Sequence, residues 1–375
     1  MQNKHLHIIS FDIPFPANYG GVIDVFYKIK ALQKAGVKVH LHCFEYGDRS
    51  PTKELKKYCE SVYYYKRKMG LASCLSIKPF IVKSRSSKAL LNILLKDEYP
   101  ILFEGLHTCY YLNDKRLKDR FKIYRESNIE HHYYYHLSLA TRNIFKRIFY
   151  LSESLKLLRY QSKLKHADLM LAVSKIDEQY LQCRFPKHKV CHLPSFHANE
   201  SVTSLSGQSN YALFHGKLSV DENEKVAIYL IKEVFNQLDY PLIIAGQSPS
   251  KYLLKLQESN TNIKLIANPS DKEMTDLVQN AQVNLMLTFQ ATGLKLKLLN
   301  SLYQGKFCIC NSNMLTGTSL SDICSIADTT EELINQILRL SKEEFSQQYI
   351  EKQKSYLEEN FSNQKNIEQL LSYLA

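Results

Sequence analysis

The feature that most constrains the fold is a repeated alternation of short apolar runs with helical patterns. Strands are expected in the first half at 6–11, 37–44, 61–65, 101–103, 121–124, 169–173 and 190–193. The second half repeats the alternation, with strands expected at 211–214, 242–245, 263–266, 283–288 and 307–311. Strands that alternate with helices build parallel sheets. The sequence therefore predicts an α/β protein with two successive doubly wound sheets.

A polar stretch separates the two halves. After Pro194 the composition shifts to Ser, Asn, Gly and Gln until Asn210, which is typical of a linker. A chain of 375 residues is also long for a single core. We predict a first domain over 1–198, a second over 199–345, and a final helix over 346–375 that packs back toward the first domain. Such a pair faces a central cleft with the loops that follow its strands.

Composition places the chain among soluble globular proteins, with 45% hydrophobic and 23% charged residues. We find no apolar run long enough to cross a bilayer and no cleavage-site pattern, so we expect a cytoplasmic protein. The nine cysteines include no C-x-x-C pair. They are predicted to be reduced packing residues, which argues against a disulfide framework or a zinc site.

Positive charge is concentrated in the first half. Residues 1–199 carry 34 Lys and Arg against 17 Asp and Glu, whereas 200–375 carry 15 against 20. Basic and aromatic side chains interleave at 63–68 and 145–150. This pattern favours contact with an anionic membrane surface, with a peripheral position on its inner face, although solvated charge is the simpler alternative. No nucleic-acid-binding motif is present, so no nucleic acid partner is expected.

The segment from Thr292 to Asn311 reads as a glycine turn, a helix and a buried strand. Gly293 precedes the helix, and Lys295 and Lys297 fall in its first turn. A helix start presents unpaired N–H groups and the positive end of the helix dipole, so lysines beside it suit a phosphate or diphosphate. An ordinary amphipathic helix with solvated lysines is the alternative.

Two other loops that follow expected strands carry glycine or lysine. Gly20 and Gly21 open a helix after the first strand, and Gly216 with Lys217 ends the first strand of the second half. Glycines let backbone approach a ligand closely. A tight turn explains the glycine pair about as well, but the convergence of three loops favours an anion site.

Five segments together carry a family resemblance. They are Asn18-Tyr19-Gly20-Gly21, Asn128-Ile129-Glu130-His131 with Tyr133-Tyr134, Phe214-His215-Gly216-Lys217-Leu218 with Glu222-Asn223, Ala245-Gly246, and the run from Thr292 to Gly305. Over essentially its whole length the chain resembles the GT-B glycosyltransferases, and most closely the retaining family 4 enzymes that build bacterial polysaccharides.

The resemblance implies two Rossmann-like domains facing a cleft, with the nucleotide sugar bound by the second. The implied donor-binding residues are Gly216, Lys217, Glu222, Asn223, Gly246, Thr292, Gly293, Leu294, Lys295, Lys297 and Asn300. It places the acceptor and the donor phosphate near Tyr19, Gly20, Gly21, Glu104, Glu130 and His131. Lys217, Lys297 and His107 are the predicted catalytic residues.

This sequence departs from the family pattern at several positions. Thr292 and Asn300 stand where two glutamates are usual, and Glu222 stands where a basic residue is usual. The usual histidine of the first domain would fall near Ser127, so its role is absent or passes to His107, His131 or His132. A core histidine or a helix cap would explain His107, Glu130 and His131 equally simply.

The expected activity is transfer of a sugar, of the hexosyltransferase type, from a nucleotide-diphosphate sugar to a glycan or lipid-linked acceptor, with retention as the resemblance implies. Lysines and a helix start would stabilise the departing diphosphate, so neither a metal nor another cofactor is expected. Two alternatives remain open. One is a sugar-nucleotide epimerase of the same fold, and the other is a non-catalytic partner that binds nucleotide or glycan.

Overall fold

The computed structural model describes residues 4–141, 143–258, 260–289 and 295–374. The chain divides into two compact units. The first comprises 1–198 together with 363–375, and the second comprises 199–362.

The first domain contains a seven-stranded parallel sheet. Its strands are β1 His5–Ser10, β2 Lys38–Glu45, β3 Ser61–Lys66, β4 Ile101–Glu104, β5 Lys122–Glu126, β6 Leu169–Ala172 and β7 Lys189–His192. Its helices before the linker are α1 Gly20–Lys34, α2 Leu71–Cys74, α3 Phe80–Lys83, α4 Lys88–Leu94, α5 Glu130–Ala140, α6 Ile144–Tyr160 and α7 Lys175–Arg184.

The second domain contains a six-stranded parallel sheet. Its strands are β8 Ala212–Lys217, β9 Leu242–Gln247, β10 Ile263–Ala267, β11 Val283–Met286, β12 Phe307–Cys310 and β13 Ser325–Ile326. Its helices are α8 Asp221–Tyr229, α9 Lys251–Glu258, α10 Asp271–Asn280, α11 Leu296–Gln304, α12 Ser312–Leu315, α13 Thr330–Leu340 and α14 Gln347–Asn360. The predicted fold class of two doubly wound sheets is therefore confirmed.

The order of the strands in each sheet identifies the loops that can form a ligand site. The order is β3-β2-β1-β4-β5-β6-β7 in the first domain and β10-β9-β8-β11-β12-β13 in the second. In each sheet the order in which strands are added reverses beside the first strand. This switch point lies between β1 and β4 in the first domain and between β8 and β11 in the second. In open parallel sheets, ligands bind beyond the carboxyl ends of the strands at this switch point. The loops after these four strands are therefore the candidate site in each domain.

The end of the chain differs from the single helix expected over 346–375. Helix α14 ends at Asn360, and α15, the last helix, spans Asn363–Tyr373 within the first domain. The break coincides with Asn363, whose side-chain amide donates to the carbonyl oxygen of His197 and accepts from its backbone N–H. Helix α15 then buries Ile367 and Leu370 in the core that surrounds α1. The hydrogen bonds between Asn363 and His197 therefore mark the point at which the expected single helix becomes two.

Candidate functional site

In the second domain, Lys297 lies in the first turn of α11 and points toward the end of β8. Its Nζ donates to the backbone oxygen of His215 at 3.0 Å and lies 4.9 Å from the centre of the Phe214 ring. Burial, reinforced by the nearby Lys295, lowers the pKa of Lys297 to about 8. Lys297 forms no ion pair with any residue that the structure describes. An anion placed here would supply the charge partner that this ammonium lacks.

A buried polar contact holds His215 in place. Its Nε2 lies 3.1 Å from the hydroxyl of Ser301, which is fully buried in α11. Burial, with the charge of Lys297 as a smaller cause, lowers the pKa of His215 to about 3, so the imidazole is neutral. The Ser301 contact and the Lys297 hydrogen bond both join α11 to β8. The start of α11 is therefore fixed relative to the strand that ends at Lys217.

Glu222 connects the start of α8 to the chain that follows β11. Its Oε1 accepts hydrogen bonds from the Thr288 hydroxyl at 2.7 Å and from the Phe289 backbone N–H at 2.5 Å. Glu222 therefore holds the chain at Thr288 and Phe289, just after β11. This use of a carboxylate gives a structural reason for an acidic residue where the family usually has a basic one.

The two glycines at the ends of β8 and β9 are directly opposite each other. Gly216 pairs with Gly246 in the sheet, and a Cβ on Gly246 would overlap the carbonyl oxygen of Gly216. At Gly216 an added Cβ would meet the Asn223 side chain, which donates to the Lys217 carbonyl oxygen at 3.0 Å. Gly246 is therefore required by backbone packing. Gly216 and Asn223 shape the turn that presents the exposed Lys217.

The remaining residues predicted to bind the donor differ in their surroundings. Lys295 precedes α11, and burial lowers the pKa of its ammonium. The Asn300 side-chain oxygen accepts from Gln304 at 3.1 Å, and Gln304 also donates to Asn199. That contact occupies one polar atom of a side chain predicted to bind the donor. Thr292, Gly293 and Leu294 lie outside the described residues.

In the first domain, the loop after β1 is organised by a buried carboxylate. Asp12 accepts hydrogen bonds from the Tyr19 hydroxyl at 2.6 Å and from the Ile13 N–H at 2.7 Å, and Arg49 lies 3.5 Å away. Gly20 and Gly21 then open α1, and a Cβ on Gly21 would lie 2.6 Å from the Phe11 ring. The glycine pair therefore lets helix α1 begin close against the end of β1.

His107, which is partly exposed, and the buried Glu130 form a pair just after β4 and β5. The His107 Nδ1 lies 3.7 Å from a Glu130 carboxyl oxygen and makes no hydrogen bond within the described part of the chain. Burial raises the pKa of Glu130 to about 8. Burial, with the charges of Arg85 and Arg67, holds the pKa of His107 well below its usual value. At neutral pH the pair is a carboxylic acid beside a neutral imidazole, so the contact is no ion pair. A proton donor and an acceptor thus lie together at the switch point.

Arg85 supplies positive charge to the same region. It is buried, and it donates to the Phe11 carbonyl oxygen at 2.9 Å and to the Ile81 carbonyl oxygen at 2.7 Å. Burial and the neighbouring Arg67 lower its pKa to about 9. The sequence interpretation did not select Arg85, because nothing local marks it within a generally basic segment. Asp12 was also missed, although a carboxylate at the end of an apolar strand is a usable signal.

The structure places Glu104 inside the domain rather than at the predicted acceptor site. Its carboxylate accepts from Lys28 at 2.6 Å, and Lys28 also donates to Asp24 at 3.0 Å. Arg125, which is fully buried, lies 3.4 Å from Asp24. These four side chains form a buried network of two acids and two bases. We therefore assign Glu104 to that network and remove it from the proposed acceptor residues.

His131 also faces the interior. It is buried in α5, its ring lies 5.9 Å from Tyr180, and burial lowers its pKa to about 4. Its backbone oxygen accepts a hydrogen bond from Ser154 of α6. These contacts match a packing role between helices, and the proposed site residue at this strand end is Glu130.

No group of three or more His, Cys, Asp and Glu side chains within 4–141, 143–258, 260–289 and 295–374 is arranged to hold a metal ion. Among the same residues, no helix is both long and apolar enough to span a membrane.

One curated relative and several solved structures are similar to the whole chain. An "Uncharacterized 44.6 kDa protein in cps region" of Klebsiella pneumoniae is 26% identical, with 96% of each chain covered. No family model matches the sequence.

The solved structures share the architecture at low sequence identity. The sucrose-phosphate synthase of Thermosynechococcus elongatus superposes with a TM-score of 0.68 at 14% identity, with 99% of each chain covered. TarM of S. aureus, solved in a complex that contains UDP, gives 0.67 at 10% identity over the whole of both chains. The lipopolysaccharide outer core galactosyltransferase WaaB gives 0.64 at 12% identity, covering 99% of this chain and 100% of WaaB. The chain therefore has the GT-B fold, as the resemblance predicted.

Proposed function

We propose that this protein is a glycosyltransferase that uses a nucleotide-diphosphate sugar. The observation that carries the proposal is the position of Lys297, an incompletely paired ammonium at the switch point between β8 and β11. Breaking a glycosyl phosphate bond leaves negative charge on the diphosphate, and fixed cations stabilise that charge as it develops. Lys297, Lys217, Lys295 and the start of α11 are the groups proposed to do so.

The proposed donor site extends to Gly216, Glu222, Asn223, Gly246 and Asn300. Gly216 and Gly246 let the backbones of β8 and β9 lie close together at their ends. Glu222 holds Thr288, just after β11. Thr292, Gly293 and Leu294 remain predicted members of the site. Because cations and backbone N–H groups neutralise the diphosphate in this proposal, the reaction needs no metal.

The first domain is proposed to supply the acceptor side. Tyr19, Gly20 and Gly21 lie at the loop after β1, and His107 and Glu130 form the neighbouring pair. A neutral imidazole and a protonated carboxyl both form hydrogen bonds to sugar hydroxyls without adding charge. The proposed acceptor is a glycan or a lipid-linked sugar, and the proposed pathway is bacterial polysaccharide assembly. The relative from the cps region supports this context.

The finer features of the reaction belong to the same proposal. We expect hexosyl transfer with retention at the anomeric carbon, in the cytoplasm. The solved enzymes of the same fold that act on sugars support transfer itself.

The experiment begins with purified protein and a thermal-shift screen of UDP-, GDP- and other nucleotide sugars. The donor that raises the melting temperature most is then incubated with glycan and lipid-linked acceptors, and NMR of the product assigns the anomeric configuration. Transfer that is lost in Lys297→Ala supports the proposal. A donor that binds but is neither transferred nor hydrolysed favours a non-catalytic binding partner.

An epimerase is the second candidate, and the His107 and Glu130 pair is the observation that favours it. Epimerisation needs acid and base groups, and this pair offers both at neutral pH. Incubation of the donor without acceptor discriminates the two reactions. An epimerised nucleotide sugar would establish the epimerase, whereas unchanged or hydrolysed donor would exclude it.

A further inference from the structure

Helix α6 carries apolar side chains on its outer face as well as on its inner face. Ile144, Ile148, Leu151 and Leu155 are exposed by 58%, 59%, 38% and 61%. At 100° per residue these four positions fall within an arc of about 60°. The buried residues of α6, which include Glu153, Leu157 and Tyr160, lie on the opposite side. The helix therefore presents a continuous aliphatic stripe that no core of the described residues uses.

Further exposed apolar side chains lie at the start of α6 and on a segment attached to it. Phe145, at the start of α6, is 81% exposed, and Leu75 and Ile77 are 84% and 94% exposed. The segment that carries Leu75 and Ile77 is attached to α6, because Lys156 donates to the Cys74 carbonyl oxygen and Glu153 accepts from the Phe80 N–H. Exposed apolar groups concentrated on one surface mark an interaction site.

The charge around this apolar surface is positive. Residues 131–166 contain seven Lys and Arg and a single acid, Glu153, which is buried. Residues 61–96 contain eight Lys and Arg and no acid. Arg147 and Arg159 are exposed, and at 100° per residue they lie on the two flanks of the stripe. The surface therefore combines aliphatic groups with a surplus of cations.

We infer that the outer face of α6, with Phe145, Leu75 and Ile77, docks the first domain on an anionic lipid bilayer. A helix of this kind lies in the plane of the interface, with its apolar side chains among the acyl chains and its cations among the headgroups. The positive charge of this surface favours an anionic bilayer over a second copy of the chain as its occupant. A symmetric dimer through this face would bring two cationic surfaces together, whereas an anionic bilayer neutralises them.

Docking of this kind is separate from sugar transfer. It would place the first domain, and any lipid-linked acceptor that this domain binds, at one surface. Its failure would leave the proposed reaction on a soluble glycan untouched. Binding and catalysis are therefore measured independently.

The test is sedimentation of the purified full chain with phosphatidylcholine vesicles that contain either no phosphatidylglycerol or 30% of it, each at low and high salt. We expect recovery only with the anionic vesicles, and a decline as salt rises. The double variant Ile148→Ser with Leu155→Ser should bind at least about tenfold more weakly, because it removes two aliphatic side chains that the bilayer would bury. The control is Leu338→Ser, an exposed leucine of the second domain.

Charge reversal provides a second comparison. Arg147→Glu with Arg159→Glu should weaken binding by roughly fivefold or more for each cation lost. Lys264→Glu with Lys272→Glu makes the same net change at exposed positions of the second domain and should have little effect. Equal recovery with neutral and anionic vesicles would overturn the inference, and so would equal binding by the aliphatic variant and the wild type. A dimer seen by analytical ultracentrifugation and abolished by the aliphatic variant would assign the surface to self-association instead.

Discussion

The ammonium of Lys297 and the backbone oxygen of His215 are 3.0 Å apart, and this hydrogen bond joins the first turn of α11 to the end of β8. The contact uses one of the three donors of Lys297. Lys297 is therefore positioned before any ligand arrives. Such prior positioning is what makes a cation effective against charge that develops during a reaction.

Lys297→Ala should lower the rate of donor turnover by at least tenfold. The loss of a charge-assisted hydrogen bond to phosphate costs about 1.5 to 3 kcal/mol. Lys295→Ala is the comparison, because Lys295 precedes α11 whereas Lys297 lies in its first turn. Steady-state kinetics on both variants, with circular dichroism to verify folding, makes the measurement. Normal kinetics in a folded Lys297→Ala variant would remove this lysine from the site.

Binding of a nucleoside diphosphate should weaken as pH rises through about 8, the pKa to which burial and Lys295 lower Lys297. The protonated lysine binds phosphate and the neutral amine does not, so affinity is full below that pKa and declines above it. Titration calorimetry with UDP, or with the diphosphate selected by the screen, should show at least a tenfold loss between pH 7 and pH 9.5. Lys297→Arg should flatten this dependence because guanidinium stays charged. A dependence that is the same in both proteins would contradict the assignment.

Much of this site was open to prediction from sequence, and the reasons are local. Lys297 and Gly216 follow from apolar runs, a helical period and a glycine at a strand end. The role of Glu104 was not predictable in the same way, because its partner Lys28 lies 76 residues away. A residue at the end of a buried strand points either to a ligand or to the core, and only the packing of α1 against β4 decides between them. Arg85 escaped prediction for the same reason, since its hydrogen-bond acceptors include a carbonyl 74 residues away.

Glu104→Gln tests the assignment of Glu104 to the buried network. Removal of this carboxylate leaves two buried bases with a single acid, Asp24, and breaking a buried ion pair costs about 3 to 5 kcal/mol. Urea denaturation should therefore show a large loss of stability, while the KM for the acceptor stays unchanged in the folded variant. Asp119→Asn, at a carboxylate that is 88% exposed, is the control. A raised KM with unchanged stability would return Glu104 to the acceptor site.

A chain of hydrogen bonds that crosses β3, β2 and β1 in the first sheet predicts loss of stability in acid. The Tyr65 hydroxyl lies 2.9 Å from His42, His42 lies 2.8 Å from His7, and His7 lies 3.0 Å from Asp97. Asp97 also pairs with Arg120 at 3.1 Å. Burial lowers the pKa of both His7 and His42, so both imidazoles are neutral at pH 7. His7 then donates to Asp97 and accepts from His42.

Burial lowers the pKa of His7 to about 4, and Asp97 opposes this shift only in part. The unfolded chain therefore binds more protons than the folded one between about pH 4 and 6.5, and stability is full above this window and falls as pH decreases through it. Linkage gives a loss of about 2 kcal/mol from His7 between pH 7.5 and pH 5. His7→Gln should lower stability at pH 7.5 and reduce the further loss at pH 5. His136→Gln, at an exposed histidine of α5, should retain the wild-type pH dependence in urea denaturation followed by circular dichroism. A His7→Gln variant that loses as much stability in acid as the wild type would show that the acid sensitivity arises elsewhere.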